Sequence, residues 1–289
     1  MNTSQQEPVV DANRDLIWQT ARSADMDRYL AALFAPQSVR DDLMALIAFN
    51  AEIAQIADRV TEPGLGEIRL QWWRDALDAL QAGEGTDNPI ADALGPIVAA
   101  HGELVPLLKG LIDARSFDVT GGMMPDMPTL RAYLHKTAGT LYLLGVKLIA
   151  GREIEAEHAV ADAALALGIT GQLRAMPFNL PQGRCFVPRD LLVELHIDPD
   201  DIFRPENVPR MVEAIQIMTM EAESALGRAR EAMRPASSGA RKAFLTLALV
   251  EPYLTVLAIA DQRSLVEIAD ISPLNRYGRL AWAAISGRI

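Results

Sequence analysis

Apolar residues recur along this chain at spacings of three and four, the signature of helices with one buried face. Period-two alternation bounded by turn residues, the mark of strands, is almost absent. Leu43, Leu46, Ile47, Ile53 and Ile56 form one such stripe. Ser38 and Asp41 precede it in an S-x-x-D arrangement close to a capping box, so a helix is predicted over about 39–59, ending before Glu62-Pro63. Gly66–Gln81 reads as the next helix, and Asn88-Pro89, a cap followed by proline at the first helical position, opens another. Gly121-Gly122-Met123-Met124-Pro125 reads as a loop. A long helix follows over Thr129–Ala150, closed by Gly151, and another over about Glu155–Ala175, which must end at Pro177. Residues 177–187 read as irregular, and Pro188 starts a short helix. Pro205–Met233, about Ser237–Val250, Tyr253–Ala269 and the segment from Ser272-Pro273 onward complete the set. No repeat and no dividing linker is visible, so the expected fold is all-α, a single helical bundle over residues 13–289, with residues 1–12 as a disordered tail.

Composition narrows the function. Lys plus Arg number 27 against 38 Asp plus Glu, a formal charge of −11 in 289 residues, which disfavours nucleic acid as a partner because phosphate binding needs a positive surface. Cys185 is the single cysteine, which excludes an internal disulfide and any multi-cysteine metal centre. The polar N-terminal segment resembles neither a secretory signal nor a transit peptide, and the expected location is the cytoplasm. No segment reads as membrane-spanning, since the most apolar stretch, Phe244–Ala260, is interrupted by Glu251 and Pro252. Membrane contact is therefore expected to be peripheral at most. His101, His135, His158 and His196 have no partners at ligand spacing, and phosphate-cradling glycine loops are absent. Trp72-Trp73-Arg74 reads as one core indole and one rim indole.

The order of local patterns says more. Tyr29–Phe34, Val39–Phe49 and Leu70–Leu77, then Tyr133 with Thr137-Ala-Gly-Thr140, then Gln172-Leu173 and Gly183-Arg184 through Pro188-Arg-Asp190, together resemble the squalene/phytoene synthase family. The resemblance runs over about residues 20–285. It implies an isoprenoid-synthase-like bundle with a central cavity, and head-to-head joining of two prenyl diphosphates. In that chemistry two Asp-rich motifs on facing helices hold Mg²⁺, a hard cation that takes oxygen ligands and bridges carboxylates to the leaving diphosphate.

Both motifs are degenerate here. The paired aspartates of the first fall on Ala54 and Gln55, and Asp58 alone is retained. In the second, Gln172 is kept, Arg174 follows, Asn179 stands at an aspartate position, and Pro177 interrupts the helix. From Ala163 to Arg189 there is no acidic residue, the wrong charge for a Mg²⁺ cage. Arg174 and Arg184, with Tyr133 and Trp73, are the candidate site for an anion or a prenyl ligand, since guanidinium matches phosphate without a metal.

The departures themselves, in Phe49-Asn-Ala-Glu-Ile-Ala-Gln55, Arg69–Arg74, Thr140–Leu144 and Leu173–Pro177, resemble a non-catalytic branch of the family, that of a mitochondrial respiratory complex I assembly factor. The leading expectation is therefore a pseudoenzyme that supports complex I assembly, with a respiratory subunit or assembly protein as partner and no cofactor. Two alternatives stand beside it. One is a prenyltransferase with altered metal ligation, which alone would need Mg²⁺; the other is a binding protein for an isoprenoid or other lipid.

Overall fold

Short polar side chains set the helix starts. Asp25, Asn88, Asp126, Ser237 and Ser272 each accept a backbone N–H two or three residues on, satisfying donors that a first helical turn leaves over. The computed structural model describes residues 7–151, 154–198, 201–202 and 204–289. These group into two compact units, Met1–Thr120 and Gly121–Ile289.

The first unit runs through α1 (Glu7–Ala24), α2 (Met26–Ala32), α3 (Arg40–Ala54), α4 (Ile56–Arg59), α5 (Pro63–Gln81), α6 (Pro89–Asp92), α7 (Gly95–Ala100), α8 (Val105–Ala114) and α9 (Ser116–Thr120). Every residue of α3 from Leu43 to Phe49 is buried, so this helix is covered on all sides and forms the core. Helix α1 is fastened to its start, where Arg14 Nε and Trp18 Nε1 both donate to Asp41 Oδ1, at 2.9 and 2.7 Å. Helix α5 turns Leu70, Trp73, Leu77 and Leu80 inward, at helical spacing. Gly66 lets α9 close on α5: a Cβ there would stand 2.4 Å from Val119 Cγ1.

The second unit holds α10 (Met127–Leu134), α11 (Thr140–Ala150), α12 (Ile154–Arg174), α13 (Met176–Asn179), α14 (Arg189–Glu194), α15 (Val208–Ala232), α16 (Ser238–Arg241), α17 (Val250–Ala260) and α18 (Pro273–Ser286). Helices α12 and α15 form its spine. The buried positions of α15 are Met211, Ala214, Ile215, Met218, Ala222, Ala225, Leu226 and Ala229, a three-four stripe rich in alanine, and α12 buries Ala156, Ala159, Ala163, Ala164 and Ala166. Residues this small let two backbones approach closely. Two two-residue strands, β1 (Gly122–Met123) and β2 (Arg184–Cys185), pair in parallel.

Several boundaries differ from the sequence reading. The 1–12 tail is helical from Glu7 onward, with Pro8 in the first turn where its missing N–H costs nothing; residues 1–6 lie outside the described residues. Ser38 does not cap α3, because Gln37–Val39 make a 3₁₀ turn that leads directly into it. The 39–59 helix breaks at Gln55. The Gly121–Pro125 loop contributes β1, and its two glycines carry φ of 71° and 113°, which let the chain turn where the units divide. The long helix at 129–150 starts at Met127 and carries a π turn at His135–Gly139, where the Thr137 hydroxyl donates to the Tyr133 carbonyl at 2.9 Å. Helix α12 ends at Arg174, before Pro177 as expected, but the stretch read as irregular is not wholly so: Pro177 sits in the first turn of α13. The stretch Ser238–Ile259, which contains most of the Phe244–Ala260 segment set aside above, is long and apolar enough to cross a membrane by composition, with a mean hydropathy of 1.6 over 18 residues, and 61% of that window is buried inside the protein.

Two glycines of α12 give opposite expectations. At Gly168 a Cβ would stand 2.5 Å from Leu134 Cδ2, whereas at Gly171 nothing lies within 4 Å. Gly168→Ala should destabilise by about 1–3 kcal/mol through overpacking. Gly171→Ala should stabilise by about 0.5–1 kcal/mol through helix propensity. Thermal melts of the two variants should move in opposite directions, and a shared direction would contradict this packing.

Candidate functional site

The first degenerate motif lies at the α3–α4 junction. Ala54 closes α3 and Gln55 caps it; both are half-buried. Glu52, one turn earlier, is held by Arg59 Nη1 at 2.9 Å, and Gln55 Oε1 accepts from Arg59 Nη2. One guanidinium therefore spans the polar groups beside the diverged positions, and Asp58 sits next to it on the exposed side of α4. Behind this edge Asn50 accepts from Arg115 Nη2 at 3.0 Å, and Arg115 Nη1 pairs with the buried Asp118 at 2.9 Å. Trp73 is a core residue packed edge-on against Phe49 and Trp72, with ring centres 5.3 and 5.0 Å away, while Trp72 is exposed.

The second motif surrounds the end of α12. Asn179 Nδ2 donates to Gln172 Oε1 at 3.3 Å. Arg174 is engaged on three sides: Nε donates to the Ala269 carbonyl at 2.9 Å, Nη2 meets Asp270 at 3.3 Å, and the guanidinium lies 3.5 Å over the Tyr253 ring. Arg184 is buried in β2, donates to Gln182 Oε1 at 2.5 Å and lies over the exposed Phe178 ring at 5.9 Å. Tyr133 is buried too, its ring 5.4 Å from that of Phe186. The structure brings Gln172, Asn179 and Arg184 together with Cys185 and Met218 around one recess of about 10 Å³. That is the room of a single water molecule, far less than a prenyl chain needs. Burial pushes the Cys185 thiol up to about 11, which makes it a poor nucleophile.

A family model described as squalene/phytoene synthase matches residues 21–282. The chain belongs to the squalene/phytoene synthase family. Within curated relatives, NADH dehydrogenase (ubiquinone) complex I, assembly factor 6 of Mus musculus is 28% identical over 240 residues, covering 83% of this chain and 72% of that protein. The phytoene synthase of Rhodobacter capsulatus is 24% identical over 233 residues, covering 81% and 67%. Squalene synthase HpnC from Alicyclobacillus acidocaldarius shares the fold with a TM-score of 0.73 at 20% identity, covering 89% of this chain and 95% of that one. The all-α isoprenoid-synthase fold expected from the motifs is thus the fold of this protein.

The Mg²⁺ implied by this family does not fit the residues present. Ala54 offers no oxygen from its side chain, the Gln55 amide and Glu52 are taken by Arg59, and Asn179 pairs with Gln172 in the recess that Arg184 lines. Among the described residues no group of three or more His, Cys, Asp or Glu stands close enough to hold a metal ion. Octahedral Mg²⁺ needs carboxylates turned to it and unclaimed by cations.

Sequence reading passed over Arg59, although its spacing from Gln55 and Glu52, i+4 and i+7, places all three on one helical face. The partners of Arg174 at Ala269, Asp270 and Tyr253 left no local signal, being more than 75 residues away in sequence.

Ala54→Asp with Gln55→Asp should not create Mg²⁺ affinity, because Arg59 lies within reach of the new carboxylates; calorimetric titration with Mg²⁺ should show no heat of binding, and a stoichiometric site would refute this. Cys185 should react with a disulfide reagent at least about 100-fold more slowly in the native than in the unfolded protein at mildly alkaline pH, because the thiolate fraction alone falls by that factor between a pKa of 9.0 and about 11. Equal rates would show that the recess is open to solvent.

Proposed function

We propose that this chain is a non-catalytic member of its family that supports the assembly of respiratory complex I through surface contacts. The observation that carries the reading is the internal pairing at the two diverged motifs. Glu52 and Gln55 are held by Arg59, and Arg174 by Asp270, Ala269 and Tyr253, so neither place presents carboxylates for a metal-held diphosphate. The similarity to complex I assembly factor 6 across 83% of the chain supports the same reading and supplies the partner class, a subunit or assembly protein of that complex. The proposal includes work without a metal cofactor, and a place in the cytoplasm with peripheral contact at the inner membrane.

Deleting the gene should lower NADH oxidation through complex I and leave succinate oxidation intact. The purified protein, incubated with farnesyl diphosphate and Mg²⁺, should give no condensation product above a blank without protein. Metal-held leaving groups supply several kcal/mol, and each ~1.4 kcal/mol lost is tenfold in rate, so their loss removes roughly a thousandfold or more. Unchanged complex I activity, together with a Mg²⁺-dependent product abolished by Asp58→Ala, would overturn the proposal in favour of the transferase.

A further inference from the structure

Half of the large apolar side chains exposed among the described residues, seven of fourteen, fall between Ile259 and Ile285. Four of them lie on α18: Leu274 is 83% exposed, Tyr277 50%, Trp282 65% and Ile285 83%. At 100° per residue they form one face. Tyr277, Ala281, Leu274, Ile285, Gly278 and Trp282 span an arc of about 140°. The inward side of the same helix buries Leu280 and Ala283, with the Arg276 stem and Ala284 half-buried beside them. The helix therefore turns its larger apolar face outward, the reverse of an ordinary surface helix.

Its charge is also reversed relative to the chain. Against a total of −11, residues 271–289 carry Arg276, Arg279 and Arg288 and no acidic residue. Arg279 borders the apolar face and remains 47% exposed while reaching Glu251 at 3.8 Å, and Arg288 is exposed just past the helix end. Asp270, the acid nearest before the helix, is already engaged by Arg174 and Arg276. A face about 21 Å long and 10 Å wide offers roughly 200 Å², well short of the ~800 Å² per partner of a stable protein interface. The same face suits the boundary between headgroups and acyl chains, where Trp and Tyr settle and arginines meet phosphate.

We infer that α18 docks this protein on an anionic lipid surface, with Leu274, Tyr277, Trp282 and Ile285 entering the acyl boundary and Arg279 and Arg288 meeting lipid phosphates. This docking rests on the peripheral membrane contact included in the proposed function and assigns it to one helix; vesicle binding by purified protein can fail while the assembly role, read from complex I activity, still holds.

The full chain should co-sediment with vesicles of phosphatidylcholine plus phosphatidylglycerol, and less with phosphatidylcholine alone. Leu274→Ser with Ile285→Ser should lower that binding at least about tenfold. Arg279→Gln with Arg288→Gln should lower it less and remove its salt dependence. A melting curve checks that each variant is folded, and Trp282→Ser serves as a second reading should the double variant unfold. Absence of vesicle binding, wild-type binding by both apolar variants, or equal binding to neutral vesicles would overturn the inference. So would a self-associating wild-type protein that the serine variant turns monomeric without changing vesicle binding, because the face would then meet a second copy of the chain.

Discussion

With Gly168 facing Leu134 and alanine or glycine at six of the eleven buried positions among its described residues, α12 lies closer to α10 and α15 than larger side chains would allow. Alanine and glycine have no side-chain rotamers to lose, so this approach gains dispersion contacts at little entropic cost. It also fixes the depth and rotation of α12, because a close-packed contact has little tolerance for sliding. The last turn of that helix carries Gln172 and Arg174, so core packing, rather than any ligand, sets where the diverged second motif stands. Arg228 Nε, 2.8 Å from Asp162, adds a half-exposed pin between α12 and α15 that contributes little beside the packing.

What happens around that helix end is a change of electrostatic purpose. A metal-binding site leaves carboxylates in want of a cation, a state that is costly unless the metal arrives. Here Arg174 and Asn179 find counterparts within the chain, and so, separately, does Glu52 at the first motif. Arg174 has Asp270 and the Tyr253 ring, Asn179 has Gln172, and Glu52 has Arg59. The recess among Gln172, Asn179 and Arg184 has the room of one water molecule. Groups satisfied in this way rigidify the fold, and removing one partner of such a pair leaves the other to carry its desolvation alone.

The surface shows the opposite economy. Large apolar side chains stay uncovered on α18, where the inner side of the helix already has enough contact through Leu280 and Ala283 to hold it in place. Leu274, Tyr277, Trp282 and Ile285 keep half or more of their surface in solvent, so most of their apolar area contributes nothing to the packing of the fold.

The sequence by itself determined the helical class, most helix starts and the loss of the Asp-rich motifs. These depend on local rules: the period of apolar residues, a polar cap before a helix, and the identity of a residue at a motif position. Asn88, Ser272 and Gly151 act where they were expected to act because capping involves neighbours only three or four residues away. The break at Gln55, the π turn at His135–Gly139, the pairing of β1 with β2, and the division at Thr120–Gly121 were not legible. The strand pairing and the division depend on segments far apart in the chain, and neither the break nor the π turn is marked by a proline or a polar cap that local rules would read. The candidate site divides in the same way. Its residue types could be read from the motifs, whereas the partners of Arg174 and the closing of the recess around Cys185 could not. An arginine's charge is a property of the residue, but which acid neutralises it is decided only when the folded backbone brings position 174 beside position 270.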